Sequence, residues 1–421
     1  MNSLRLFLLQ LLACILFISI SFGQLGPSPA QQKIGALQKA IAINPSRHDL
    51  HADLALAYAK RARETADPAY YEKAEKAVNK SFSIMPDNFE AKKVHIWILL
   101  GRHKFARARE EASDLNKKVP DDMMVYGLLA DANAELGNYG EAEEAVQWML
   151  DMRPGNVAGL TRAAYLREIF GDREGALEML HSAYQRTPPA EIEDRAWVLT
   201  HMAHLHVMDG KIEIAEKLLD QALALFPQYH YALAQMAKVR TSQRRYKDAV
   251  ELLRQRYQAA PHPENLYDLA VVLKKAGSDK EAKRALVEFE KKALVESDSS
   301  DNSNRELIFY YADHARRPSK ALEIASKEIG RRRDVYTRDA LAWALHVNGK
   351  HKEAREQIDM VLAVGIRNAK IFYHAGLIAL KSKDRKTAVH YLKRTLETNP
   401  VSEVSDAARR ELSRLGHRQE Q

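Results

Sequence analysis

An alanine recurs along this chain at Ala74, Ala108, Ala142, Ala176, Ala215, Ala249, Ala282, Ala321, Ala354 and Ala388. The steps are 33 or 34 residues, lengthened to 39 in two places. A unit that short cannot bury an apolar face alone, so the units must stack, each covering the next. The product is one continuous core beneath a long, patterned surface.

The punctuation between alanines gives the shape of the unit. Twelve residues beyond the alanine stands Pro86, Pro120, Pro154, Pro188, Pro227, Pro261 or Pro400. Proline drives the residue before it out of helical geometry, which ends a helix there. Five residues before the alanine, Gly137, Gly171, Gly210, Gly277 and Gly349 suit a left-handed turn closing an earlier helix. Each unit therefore reads as helix, turn, helix. Twelve residues before the alanine a second small residue recurs (Ala130, Ala164, Ala203, Ala237, Ala270, Ala342, Gly376), so the two helices can approach closely. Four residues after it an apolar residue recurs (Val78, Val146, Leu180, Leu219, Leu253, Leu286, Ile358, Leu392), keeping one stripe of the second helix on the core.

With its small, aromatic and proline positions matched in blocks such as Met123 to Pro154 and Ala369 to Pro400, the chain resembles the tetratricopeptide repeat family over about residues 31–415. The resemblance implies an all-α fold: an α-solenoid coiled as a right-handed superhelix of about ten helix-turn-helix repeats with capping helices. Residues 24–46 are expected to form a linker and an N-terminal half-repeat helix, 47–295 repeats one to seven, 305–400 repeats eight to ten, and 401–421 a capping helix and tail. Departures from strict period map to turns or helix extensions. One lies within Lys60–Tyr71, one at Pro189–Asp194, and one in the polar run ESDSSDNSN, whose residues 296–304 are expected to be a flexible hinge.

Residues 1–23 read as an export signal: Arg5 is the one charged side chain, Leu6 to Ile18 is apolar, and Ser21 and Gly23 precede a plausible cut before Gln24. The competing reading keeps the segment as an amino-terminal membrane anchor, and its apolar run is short for a bilayer span. A lipid-attachment reading at Leu11-Leu12-Ala13-Cys14 is weaker still, since the apolar stretch continues past Cys14. That cysteine is the only one, so a processed chain has no disulfide and its stability must come from packing. The absence of disulfides leans toward a periplasmic or otherwise secreted bacterial setting. The formal charge of +8 permits contact with anionic polymers or headgroups, but clusters such as Arg331-Arg332-Arg333 alternate with acids, and export argues against nucleic acid.

In the family, the first helix of each unit lines the concave face, which directs attention to residues about eighteen, fifteen and eleven before each marker alanine. The innermost row holds Trp97, Tyr165, His204, Lys238, Tyr310 and Trp343; flanking rows hold Trp197, Tyr231, Tyr267, Tyr336 and Tyr373, and Glu306 and Asp339 supply charge. Aromatic side chains with polar tips give large contact area at modest entropic cost and suit partner binding, though they also suit packing between helices. Two known groove chemistries of the family are missing. Lys93 has Trp97 where the carboxylate clamp wants asparagine, and no asparagine ladder recurs. His201 and His204 share a helical face, but two donors without cysteine do not make a metal site. No Gly-rich phosphate loop, serine elbow or paired-histidine metal helix is present in the sequence. The expectation is an exported, non-catalytic scaffold without cofactor or metal. It binds a protein or peptide in its groove during assembly of an envelope or secreted complex, and touches a membrane only if residues 1–23 are retained. The alternative is a module for polysaccharide or anionic polymer.

Overall fold

The computed structural model describes residues 27–417, which form 22 α-helices joined by short turns, with no strand among the described residues. None of these helices is long and apolar enough to cross a membrane. Residues 1–23, read as an export signal, lie outside the described residues.

The helices pair in sequence. A capping helix α1 (Pro29–Ile43) precedes the first pair, α2 (His48–Thr65) and α3 (Ala69–Ile84). The pairs that follow are α4 (Phe89–Gly101) with α5 (Phe105–Lys118), α6 (Met123–Glu135) with α7 (Tyr139–Met152), α8 (Val157–Ile169) with α9 (Arg173–Arg186), and α10 (Ile192–Met208) with α11 (Ile212–Leu225). Next come α12 (His230–Ser242) with α13 (Tyr246–Ala259), and α14 (Pro263–Lys275) with α15 (Asp279–Glu296). The short α16 (Asn304–Phe309) runs into a π-helical turn, Tyr310–His314, and pairs with α17 (Pro318–Glu328). The stack ends with α18 (Val335–Val347) and α19 (His351–Ala363), α20 (Ala369–Lys381) and α21 (Arg385–Thr398), and the cap α22 (Ser405–His417).

The spacing rules have direct physical counterparts. All ten marker alanines are buried, nine of them with no accessible surface, because the paired helices touch there. A leucine at Ala142 or Ala215 would overpack that contact by about 1–3 kcal/mol. The residue before each repeat proline leaves helical geometry, as at Met85 (φ −137°), Arg153 (φ −145°) and Asn399 (φ −155°). The position five before the alanine is left-handed whether or not it is glycine: Gly137 at φ 75° and Gly349 at φ 75°, but also His103 at 53°, Arg244 at 60° and Lys383 at 61°. Asparagine and aspartate then start the next first helix: the side chains of Asn88, Asp122 and Asn156 accept from the backbone N–H of Ala91, Val125 and Gly159.

The polar segment 296–304, expected to be a hinge, is packed instead. Ser303 and Asn304 are buried, and Asn304 Nδ2 donates to Glu328 (2.9 Å) and to the Ser297 carbonyl (3.1 Å). Glu328, 1% exposed, also receives Asn302 and the guanidinium of Arg332 at 2.8 Å. Buried polar groups that find each other in this way hold a segment in place.

The superhelix closes on itself. The turn within each of the first five repeats rests on the loop before the first helix six repeats later. His262 reaches the Ala66 carbonyl, and beside it His230 Nε2, five repeats on, lies 3.2 Å from the carbonyl of Arg63 on α2. Ser300 Oγ donates to the Arg102 carbonyl (2.7 Å), and the Arg333 N–H to that of Glu135 (3.0 Å). The Val335 N–H donates to Tyr139 Oη (2.9 Å), the fully buried Arg173 to the Arg367 carbonyl, and Asn399 Nδ2 to the Val207 carbonyl (2.8 Å). Most of these bridges join residues 192 to 198 apart, so one superhelical turn takes about six repeats and the second coil lies directly on the first.

Candidate functional site: an enclosed axial lumen

Because the coils touch, first-helix side chains face an axial lumen walled on both sides rather than an open groove. Tyr336 of one coil reaches Glu168 of the other across this interior (3.3 Å), which marks the facing walls. Tyr231 keeps 40% of its surface exposed, yet burial pushes its hydroxyl pKa up. Lys238 is exposed, makes no ion pair among the described residues, and has an ammonium pKa lowered by the desolvation of its surroundings.

One cluster joins the coils around Glu168. This carboxylate, 3% exposed, bonds His201 Nε2 (2.8 Å) and His204 Nε2 (3.3 Å) from the next repeat, and accepts from Tyr336 Oη (3.3 Å) of the opposite coil. Burial alone would raise its pKa, but His204 and His201 hold it well below the usual carboxylate range. Trp197 packs against His201, with ring centroids 5.1 Å apart. Tyr165 lies beside Tyr336, and burial followed by the charges of Glu135 and Asp334 drives its hydroxyl far up. Glu135 has no side-chain partner among the described residues; burial and the neighbouring Asp334 push its pKa up to about 7.

A second cluster contains Lys238, Tyr267 and Glu306. Burial raises Glu306, and Glu264 adds like-charge repulsion. Arg305, 3.6 Å from Asp334, has a pKa that burial would lower but that Asp334 and Glu306 drive up. Lys370 pairs with Glu403 at 3.6 Å and lies over the Phe309 ring.

Five residues expected at the site lie elsewhere or are already engaged. Trp343 is 8% exposed, stacked on His374 (4.3 Å) and His346 (5.0 Å), with its indole N–H donated to Asp313 (2.8 Å). Asp339, 4% exposed, is bonded to His374 Nδ1 at 2.8 Å. Tyr310, also 8% exposed, donates to Glu290. These three are therefore packing residues: their polar atoms have partners and their rings have no free face. Tyr373 packs beneath the C-terminal cap with Leu392 and Leu415, and Trp97 packs beside Ile96 and Leu128, apart from both lumen clusters. Sequence spacing missed Glu135, Arg305, Glu264 and Glu403, whose position at the lumen depends on how the two coils meet. Glu168 bonds both His201 and His204, and no three His, Cys, Asp or Glu side chains among the described residues are arranged to hold a metal ion.

A stacked series of helix pairs built on small residues at each crossing defines a tetratricopeptide-repeat solenoid. Residues 94–157 match the family model described as tetratricopeptide repeat, so that stretch carries the repeat by sequence and the described helices carry it as a fold. No curated protein matches it by sequence. Among solved structures, the human IFIT1 dimer with m7Gppp-AAAA is similar at 15% identity and TM-score 0.52, covering 87% of this chain and 86% of that one. The Cut9-Hcn1 hetero-tetramer of the APC/C is similar at 14% identity and TM-score 0.47, over 90% of this chain and 58% of its own. PilW, a type IV pilus biogenesis factor, is similar at 14% identity and TM-score 0.42, over 49% of this chain and 93% of its own. At such identities the likeness is one of fold. That fold is typical of protein–protein interaction.

Proposed function

We propose that this protein is an exported, non-catalytic scaffold that holds an extended segment of a partner protein in its axial lumen, in the assembly or organisation of a cell-envelope or secreted complex. The observation that carries the reading is the enclosure of Tyr231, Lys238, Tyr267, Glu306, Tyr165 and Tyr336 by two coils in contact. An enclosed lumen excludes folded domains and admits an extended chain, whose backbone the tyrosine hydroxyls can bond while their rings bury its side chains. The interior mixes both signs, Glu135 and Glu306 beside Arg305 with Lys238 unpaired among the described residues, which suits a polypeptide of mixed charge better than a polymer of one sign. Peptide-library capture followed by titration tests the reading. Tyr231→Phe with Tyr267→Phe, which keep the ring packing and remove the hydroxyls, should weaken the captured peptide about tenfold while leaving the melting transition in place. Capture unaffected by both, or by loading the lumen with a competing peptide, sinks it. Export is tested separately: the mature protein's mass should lack residues 1–23.

A further inference from the structure

The outer surface carries a second feature that the lumen does not explain. The helix α15 is 18 residues long, against 14 for most second helices of the stack, and its inner side is anchored by Ala282, Ala285, Phe289 and Ala293. Its outer side presents Lys280, Lys283, Arg284 and Lys291, at helical spacings of three, four and seven, and none of them makes an ion pair among the described residues. Between and beyond these cations lie Val287, 58% exposed, Leu294, 39%, and Val295, 84%. No other described helix exposes more than one large hydrophobic side chain. Of the acidic neighbours, Glu281 is taken by Arg254, Glu288 by Lys292 and Glu290 by the hydroxyls of Tyr310 and Tyr311, which leaves Asp279 at the helix start against the four cations.

We infer that the outer face of α15 seats the protein on an anionic phospholipid surface. Four free cations around short apolar side chains on a ridge match a headgroup layer: lysine and arginine meet the phosphates, and Val287, Leu294 and Val295 reach the glycerol level. A nucleic-acid backbone has no use for the valines. A second copy of this chain carries the same net charge of +8 and would be repelled. An acidic helix would want a groove, and the depression here is shallow, lined along one helix by Lys280, Lys283, Arg284, Val287, Glu288 and Lys291.

The test is vesicle flotation of the mature chain, without residues 1–23, with phosphatidylcholine alone against phosphatidylcholine containing about one-third phosphatidylglycerol. The readout is the excess on anionic over neutral vesicles. Wild type should show an excess that fades at high salt. Lys283→Glu with Arg284→Glu and Lys291→Glu should cut it about tenfold or more, and Val287→Ser with Val295→Ser about threefold. Arg107→Glu with Arg109→Glu and Lys117→Glu on α5 makes the same change of net charge and should keep most of it. Absence of any excess overturns the inference, as does equal loss in the α5 variant or indifference to the serine changes, which would describe a polyanion site. Capture of poly-glutamate through α15 without a vesicle excess assigns the face to an acidic protein and likewise overturns it.

Discussion

At the scale of single residues, two kinds of glycine share one backbone geometry and differ in what stands beside them. Gly137 and Gly349 both have φ 75°, yet an added Cβ at Gly349 meets open space while one at Gly137 falls 2.6 Å from the carbonyl oxygen of Arg333 on the other coil. Gly349→Ala should therefore cost about 1 kcal/mol, the strain of the left-handed turn alone. Gly137→Ala should cost clearly more, about 2–4 kcal/mol, because a backbone oxygen has to move as well. Paired urea titrations compare them directly; equal costs would mean the coils do not touch there. His230 supplies a second test. It is 3% exposed, and burial lowers its pKa to about 4. A histidine whose folded pKa lies below the unfolded value near 6.5 is harder to protonate in the native state. Its contribution is complete above pH 6.5 and is lost as pH falls toward 4, up to about 3 kcal/mol. His230→Gln should flatten that acid limb in melts taken between pH 4 and 7.

At the scale of elements, helix existence and boundaries were legible because each signal is local. The small residues at Ala142 and Ala130, the proline brake at Pro154 and the left-handed Gly137 act within one unit, so a single sequence suffices to read them. The fate of residues 296–304 was not legible, since serine, asparagine and aspartate serve a loose linker and a buried hydrogen-bonded turn equally well. What decides is Glu328, a carboxylate more than twenty residues away in sequence, about which the segment folds. Glu328→Ala leaves the buried Arg332 without its anion and should cost about 3–5 kcal/mol. Hydrogen exchange should then show Ser303 and Asn304 losing protection first; protection that survives the change would return the segment to a simple spacer.

At the scale of the whole molecule, the lumen was only half legible. Spacing located Tyr165, Lys238 and Tyr267 on first helices, whereas Glu135 and Arg305 reach the same interior from repeats five apart, through superhelical pitch that no local pattern encodes. Closure also makes a measurable shape. Arg173, with no accessible surface, bridges Asp209 and the Arg367 carbonyl across the coils. Arg173→Ala should raise the radius of gyration in solution scattering, and Arg245→Ala, which breaks the exposed pair with Asp248 at the start of α13, should not. An unchanged scattering curve for both would show that the coils hold together without that bridge.

A solenoid of this kind is usually free to gain or lose units at little cost. Here the bridges count to six. Duplicating or deleting one unit between the third and the sixth would present every downstream loop to the wrong upstream turn at once, so those insertions should prove far more damaging than units appended beyond the last pair. Modular growth, in this architecture, is confined to the ends.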